Sequence, residues 1–253
     1  MKETKIWDSL KTLTQARVGL QRSGHAVGTR ENLEFQWAHA QARDAIHTPW
    51  KVEELRDDLV LNEIPTQILN TQVRTRIEYL ARPDLGRFVD VESTQKVKWN
   101  FDRDILILVS NGLSSEALHK HGGIFIKTFL KELHKRKYTF EDIILVPNAR
   151  VALGDQLGDL CRAKLCLTLI GERPGLSSPD SMGLYLTYEP RRGKTDADRN
   201  CISNIREPYG LSYDEAMRKT LFLTEESLRR RLSGFQLKDD SSSPRRNEVK
   251  AVR

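Results

Sequence analysis

Residues 151–203 read VALGDQLGDLCRAKLCLTLIGERPGLSSPDSMGLYLTYEPRRGKTDADRNCIS, and this stretch decides the architecture. Two apolar runs, Leu165 to Ile170 and Met182 to Tyr188, bracket the loop GERPGLSSPDS (171–181). Both runs have strand length and β-branched or aromatic content, while the loop concentrates Gly, Pro and Ser. A second polar loop follows and ends in RNCIS. In an α/β sheet, ligands bind in the crevice outside the carboxyl ends of the strands. GERPGLSSPDS leaves such a strand end, and its two glycines, two prolines and three serines suit a fixed polar backbone surface better than a hinge.

Two further apolar runs lie upstream, ILILVS (105–110) and IILVP (143–147), each expected as a strand covered on both faces. Between them, NGLSS turns into a helix through ALHKHGGIFIKTFLKELHKRK, where Gly122-Gly123 marks a kink or a close packing point. NARVALGDQLGDLCRA gives a second helix, with Gly154 and Gly158 four apart on one face. LSYDEAMRKTLFLTEESLRRRL gives a long closing helix that ends near Ser233-Gly234. Strand, helix, strand, helix, strand implies a mostly parallel α/β sheet with helices on its faces, a three-layer Rossmann-like domain over 101–239.

The first hundred residues read as helical. Thr29 is expected to cap RENLEFQWAHAQARDAIH, with Glu31 complementing the dipole of its first turn. The rows Leu33, Trp37, Ala40 and Phe35, Ala38, Ala42, Ala45 predict a helix buried on more than one side. Thr48-Pro49 reads as a cap and first helical position for WKVEELRDDLVL. From Pro65, Leu69, Val73, Ile77 and Leu80 keep helical spacing until RPDLGR breaks it. These residues make a small helical region over 29–100. Ahead of it, 1–28 contains TQARVGLQRSGHAVGTR, rich in Arg and Gly, which either wraps its own domain or docks a partner. Residues 240–253, with SSSPRRNEVKAVR, read as a disordered basic tail.

Composition narrows the function. A chain of 253 residues with 38% hydrophobic and 30% charged content fits a globular protein. No apolar run approaches the roughly 20 residues that span a bilayer, and MKETKIWDSL lacks the apolar core of a secretory signal. Cys161, Cys166 and Cys201 are an odd number without CxxC spacing, which points to a reduced cytosolic setting. The net charge of +6 and pI near 9.2 raise nucleic acid as a partner. Four bases against Glu248 in the last residues supply half of that charge, and the rest of the chain mixes both signs without a basic-aromatic surface. Neither nucleic acid nor membrane is expected as a partner.

The chemistry motifs are mostly absent. There is no GxGxxG after the first strand and no GxxxxGK[ST], HExxH or GxSxG. His119 and His121, two apart, point to different sides of a helix, so no metal site is expected. A parallel sheet without a catalytic constellation suggests a binding subunit. A self-sufficient nucleotide-binding enzyme would need a phosphate loop where NGLSS supplies one glycine. A non-catalytic assembly subunit without a ligand is the other alternative.

GERPGLSSPDS, TDADRNCISNI and RVALGDQLGDL resemble the light chain of ethanolamine ammonia-lyase, an adenosylcobalamin-dependent enzyme. The resemblance runs from TQARVGLQRSGHAV at residue 14 to SGFQLKD near 239, several motifs in family order. It implies a subunit that completes the cobalamin pocket at the interface with a TIM-barrel large chain. The complex converts ethanolamine to acetaldehyde and ammonia by radical chemistry, with the main catalytic residues on the large chain and none assigned here. It implies a hetero-oligomer, a heterododecamer. Three positions match cobalamin contacts of the family: Val151 for backbone or apolar contact with the corrin rim, Glu172 as an acceptor for a corrin amide, and Cys201. Read without the resemblance, these are a residue at a helix start, a salt bridge to Arg173 or another nearby base, and a small residue packed in a loop. Asp180, Arg199 and Asn200 share the matched loops and read as Asx-type turn formers. The cofactor is expected to keep its own dimethylbenzimidazole as lower ligand, with cobalt not ligated by this chain, and the absence of DxHxxG agrees. NGLSS departs from the family's DGLS, so Asn111 puts a charge contact in doubt but not the turn. The chain begins close to TQARV, without the longer leader of some relatives. If that leader addresses a bacterial microcompartment, the expected location is the cytoplasm.

Overall fold

A computed structural model of the chain describes Trp7 and residues 9–241. The reading of a disordered tail falls outside the described residues except at Asp240 and Ser241. In the N-terminal arm, an exposed ribbon of β1 (Arg22–Ser23) and β2 (Ala26–Val27) is antiparallel. The arm also touches its own domain, where Arg206 Nη2 donates to Gln15 Oε1 at 2.9 Å.

Helix α1 (Thr29–His47) begins at Thr29 itself, with Gly28 at the cap and no side-chain cap bond, so Thr29 does not cap it. Burial on more than one side does not occur either. Ala38, Ala42 and Ala45 face the domain, while Leu33 and Trp37 are 58% and 68% exposed and Phe35 is exposed too. A row of alanines is a narrow seam, and the large side chains point away from it. Thr48 closes α1 instead of opening the next helix: its Oγ1 donates to Asp44 O at 2.7 Å. Helix α2 starts later, at Val52, and runs to Leu61.

The segment after Pro65 departs most from its helical spacing. β3 (Thr66–Ile68) is a strand, and only α3 (Arg76–Ala81), capped by Thr75 Oγ1 accepting from Glu78 N at 3.1 Å, is helical. α4 (Val91–Gln95) follows. β3 pairs in parallel with β5 (Ile143–Leu145), Thr66 opposite Ile143 and Ile68 opposite Leu145. The backbone edge of a buried strand has to be paired, and that requirement outweighs local spacing. The sheet therefore takes a strand from the stretch read as helical.

The other strands fall where the apolar runs place them: β4 (Ile105–Ser110), β6 (Leu165–Gly171) and β7 (Met182–Tyr188). β8 (Arg199–Ile205) is the exception, since RNCIS reads as the end of a loop. The six-stranded order is β3-β5-β4-β6-β7-β8. β3, β5, β4 and β6 are mutually parallel, β7 is antiparallel to β6, and β8 is antiparallel to β7. The sheet is thus mostly parallel, with one reversed strand.

The two faces of the sheet carry different helices. Ile105, Ile107, Val109, Leu167 and Leu184 pack with α2, with α5 (Gly123–Lys135) and with α7 (Tyr213–Arg230). A π-helical turn at Leu118–Gly122 precedes α5, so the expected break at Gly122-Gly123 is present. On the other face Leu106, Leu108, Ile144 and Cys166 pack with α6 (Leu153–Cys161). Gly154 lets α6 approach the sheet closely, since a Cβ there would lie 2.7 Å from Cys166 Sγ and 2.9 Å from Thr168 Oγ1. α6 covers the centre of its face and leaves β7 and β8 bare at one end.

Candidate functional site

The uncovered end is made by register. Thr168 lies opposite Tyr185, and Tyr185 opposite Cys201, so the three side chains share the α6 face of the sheet. Thr168 lies beneath Gly154 of α6, whereas Tyr185 and Cys201 extend past the helix. A cleft of about 470 Å³ opens there. Ile170, Gly171 and Tyr185 line it from the sheet, Val151 and Ala152 from the entry to α6, and Glu172 and Arg173 from the loop after β6. Tyr79, Arg87, Arg150 and Asp196 complete the rim.

The turn NGLSS holds the cleft's back wall. Gly112 has φ +46°, and Leu113 N donates to Gly171 O at 3.0 Å. A Cβ on Gly171 would lie 2.1 Å from Ser114 O, so the turn sits directly against the end of β6. Asn111 is buried, accepting from Asn148 N at 2.8 Å and donating through Nδ2 to Ser115 Oγ at 3.1 Å. Those two bonds use both ends of an amide, and the turn forms without a charge at this position.

Val151 is half-buried on the rim, and its carbonyl accepts from Gly154 N at 3.0 Å in the first turn of α6. Glu172 makes no salt bridge with Arg173. Its Oε1 accepts from Ser203 Oγ at 2.5 Å, and its Oε2 accepts from Asn204 N at 3.1 Å and from the Ser181 hydroxyl. A carboxylate offers about four acceptor positions, and three are filled here by β8 and the end of its own loop. The carboxylate is therefore fixed in direction, with acceptor capacity left on Oε1. Cys201 is on β8 and not in a loop. It does not line the cleft itself and is one strand pairing away, beside Tyr185, which does. The sequence-predicted residues thus gather around one site, with Val151 and Glu172 in the cleft and Cys201 at its border.

Asp180, Arg199 and Asn200 tie elements together and do not form local turns. Asp180 accepts from Arg206 Nη1 at 2.9 Å and Lys120 Nζ at 3.0 Å, which anchors the end of the 172–181 loop. Asn200 Nδ2 donates to Leu237 O at 2.7 Å. Arg199 forms a buried ion pair with Asp155 of α6. Sequence reasoning missed Tyr185 and the rim residues Tyr79, Arg87 and Arg150. Tyr185 becomes visible only once RNCISNI is taken as a strand, because the register then sets it beside Cys201.

The three thiols differ sharply. Burial raises the Cys161 thiol to about 11 and the Cys166 thiol to about 12. Cys201 is exposed, yet desolvation by its neighbours also raises its thiol above the ordinary value, offset in part by a hydrogen bond with Tyr185. A raised value means less thiolate and slower alkylation. Iodoacetamide at pH 8 is therefore expected to label Cys201 alone in the native chain, more slowly than a free cysteine, and all three thiols in urea. Peptide mass spectrometry reads the sites, and native labelling of Cys166 would contradict this placement. Among the described residues no cluster of His, Cys, Asp or Glu has metal-binding geometry, and no helix is long and apolar enough to cross a membrane.

Comparison with known proteins places this sequence in a family. The family model of the ethanolamine ammonia-lyase light chain (EutC) matches residues 4–238. The ethanolamine ammonia-lyase small subunit of Azotobacter vinelandii is 45% identical over 244 residues, covering 94% of this chain and 90% of the relative. That of Pseudomonas fluorescens (strain SBW25) is 44% identical over 240 residues, covering 93% and 86%. That of Xanthomonas campestris pv. campestris (strain ATCC 33913) is 44% identical over 243 residues, covering 94% and 89%. A match over nearly the whole length, with relatives of nearly the same size, shows that the chain belongs to the ethanolamine ammonia-lyase light chain family.

Proposed function

We propose that this chain, as a small subunit of an ethanolamine ammonia-lyase complex, supplies one wall of an adenosylcobalamin site through Val151, Glu172 and Cys201. The observation that carries this reading is the cleft at the bare end of the sheet, where Val151 and Glu172 line one space and Cys201 borders it. Clefts of about 300–1,000 Å³ hold drug-sized ligands. A corrinoid is larger than such a ligand, so a cleft of about 470 Å³ takes its rim and leaves the rest to a second chain. The donor set suits a ligand edged with neutral amides: a directed carboxylate, small apolar contacts and exposed loop backbone.

In this reading Val151 bounds the rim, Glu172 accepts from an amide N–H, and the small Cys201 leaves room beside Tyr185. When bound, adenosylcobalamin supplies radical chemistry, and the cofactor carries the hard step. This chain contributes orientation and exclusion of water, with no acid, base or nucleophile. The cofactor keeps its own base as lower ligand. A large chain covers the cleft in a hetero-oligomer, a heterododecamer by family likeness. The exposed Leu33 and Trp37, one turn apart on α1, and the arm over 1–28 are its docking surfaces, since contiguous apolar exposure marks interaction sites. The region over 29–100 and the Rossmann-like region over 101–239 act as one platform, working in the cytoplasm or a microcompartment.

The activity test uses both chains. With adenosylcobalamin and ethanolamine, acetaldehyde is expected from the reconstituted pair and from neither chain alone. Full activity from the large chain by itself would remove this subunit from the site.

A further inference from the structure

We propose that Arg87, Arg150 and Arg173 form a subsite for a phosphate ester in the cleft. This inference rests on the cofactor reading above, because adenosylcobalamin carries a phosphodiester between a corrin side chain and its nucleotide base.

The cleft has an unbalanced charge. The three arginines line it together, and among the described residues none of them forms an ion pair. Asp84 feels Arg87 only through space, and Arg150 is directed at the Tyr79 hydroxyl. Two acids share the cleft. Glu172 is engaged by Ser181, Ser203 and Asn204, and Asp196 is fully solvated with its nearest base, Arg199, at 3.6 Å. Three guanidiniums line one cleft, two of them exposed and one half-buried, and an anion held between them would offset their mutual repulsion. Other surface arginines do pair, such as Arg82 with Asp84 at 2.7 Å and Arg136 with Glu132 at 2.6 Å, but only in this cleft, among the described residues, do three without an ion pair line one space.

Geometry favours phosphate. The planar fork of arginine matches phosphate oxygens two at a time, and several forks can share one phosphate. Helix α6 runs nine residues and starts at the same rim, so its positive end faces the cleft. The amide-rimmed corrin and the phosphodiester would then be read by different groups: Glu172 and Val151 for the rim, the arginines for the ester.

The test uses the complex of both chains and two ligands, adenosylcobalamin and adenosylcobinamide, which lacks the phosphodiester and base. Binding is read by absorbance titration for wild type, Arg87→Gln and Arg173→Gln, and inorganic phosphate binding by calorimetry. Each substitution is expected to weaken adenosylcobalamin by about tenfold, the scale of one charge-assisted bond, and to leave adenosylcobinamide unchanged. That result assigns the ester to the cofactor itself. If the substitutions spare both corrinoids but abolish phosphate binding, the subsite stands and takes a separate phosphate. Equal weakening of both corrinoids, or no effect on corrinoids and phosphate alike, overturns the proposal. Failure of the cofactor reading looks different: Val151→Trp would then leave adenosylcobalamin binding intact in the wild-type arginine background.

Discussion

Asp155→Ala is expected to lower stability by about 3–5 kcal/mol, the range for removing one partner of a buried ion pair. Arg199 Nη1 and Nη2 donate to the two Asp155 carboxylate oxygens at 2.6 and 2.7 Å, with side chains 3% and 6% exposed. Nη1 also donates to Thr187 Oγ1 at 3.1 Å. Burial works against the guanidinium's charge, and the Asp155 contact more than offsets it, so Arg199 holds its proton above the ordinary arginine value. Without Asp155 a cation stays buried between α6 and β8, its remaining carboxylate the fully solvated Asp196 at 3.6 Å from Nε. At about 2–4 °C per kcal/mol for a chain of this size, the midpoint of thermal unfolding falls by roughly 6–20 °C. The double change Asp155→Leu with Arg199→Met is expected to recover most of the loss, since the cost lies in the unpaired charge. Urea unfolding measures both, and a loss below about 1 kcal/mol for Asp155→Ala would contradict the pairing.

Glu172→Ala is expected to weaken adenosylcobalamin binding by about tenfold and to lower stability by about 2–3 kcal/mol, the value of a charged acceptor bonded to protein donors. The two effects have separate origins. Stability falls because Ser181, Ser203 and Asn204 N lose their acceptor, so β8 and the 172–181 loop are no longer tied together. Binding falls because Glu172, a residue lining the cleft, no longer offers an acceptor to the ligand. Glu172→Gln keeps an acceptor oxygen on the same skeleton and is expected to retain most of the stability and part of the binding. Equal behaviour of the Ala and Gln variants in both measurements would show that the carboxylate's direction has no role.

The strands with continuous apolar runs were legible because a short unbroken run, five apolar residues and a serine at Ile105–Ser110, fits a strand buried on both faces. β3 and β8 were not. Thr66–Ile68 has only three residues, and its partner strand settles its conformation. RNCISNI presents buried Arg199, Ile202 and Ile205 among polar residues, and the pairing with β7 carries an irregularity between Met182 and Leu184, which hides the two-residue period. α1 was over-read for burial because apolar spacing reports an amphipathic face without saying what covers it. At the site, Val151 and Glu172 came from family likeness. Tyr185 and the arginines were invisible for a different reason: they converge from β7, the loops after α3 and β5, and the loop after β6, and only the folded sheet brings them together.

The most direct measurement is an absorbance titration of the two-chain complex with adenosylcobalamin, wild type against Val151→Trp. Val151 gives no side-chain hydrogen bond to the fold and is half-buried on the cleft rim, so an indole there fills the space without removing a structural tie. The expected result is an intact complex, by size and by urea midpoint, whose cofactor affinity falls about a hundredfold, as when a ligand's rim is displaced from its pocket. Wild-type affinity in an intact Val151→Trp complex would contradict the placement of the cofactor in this cleft.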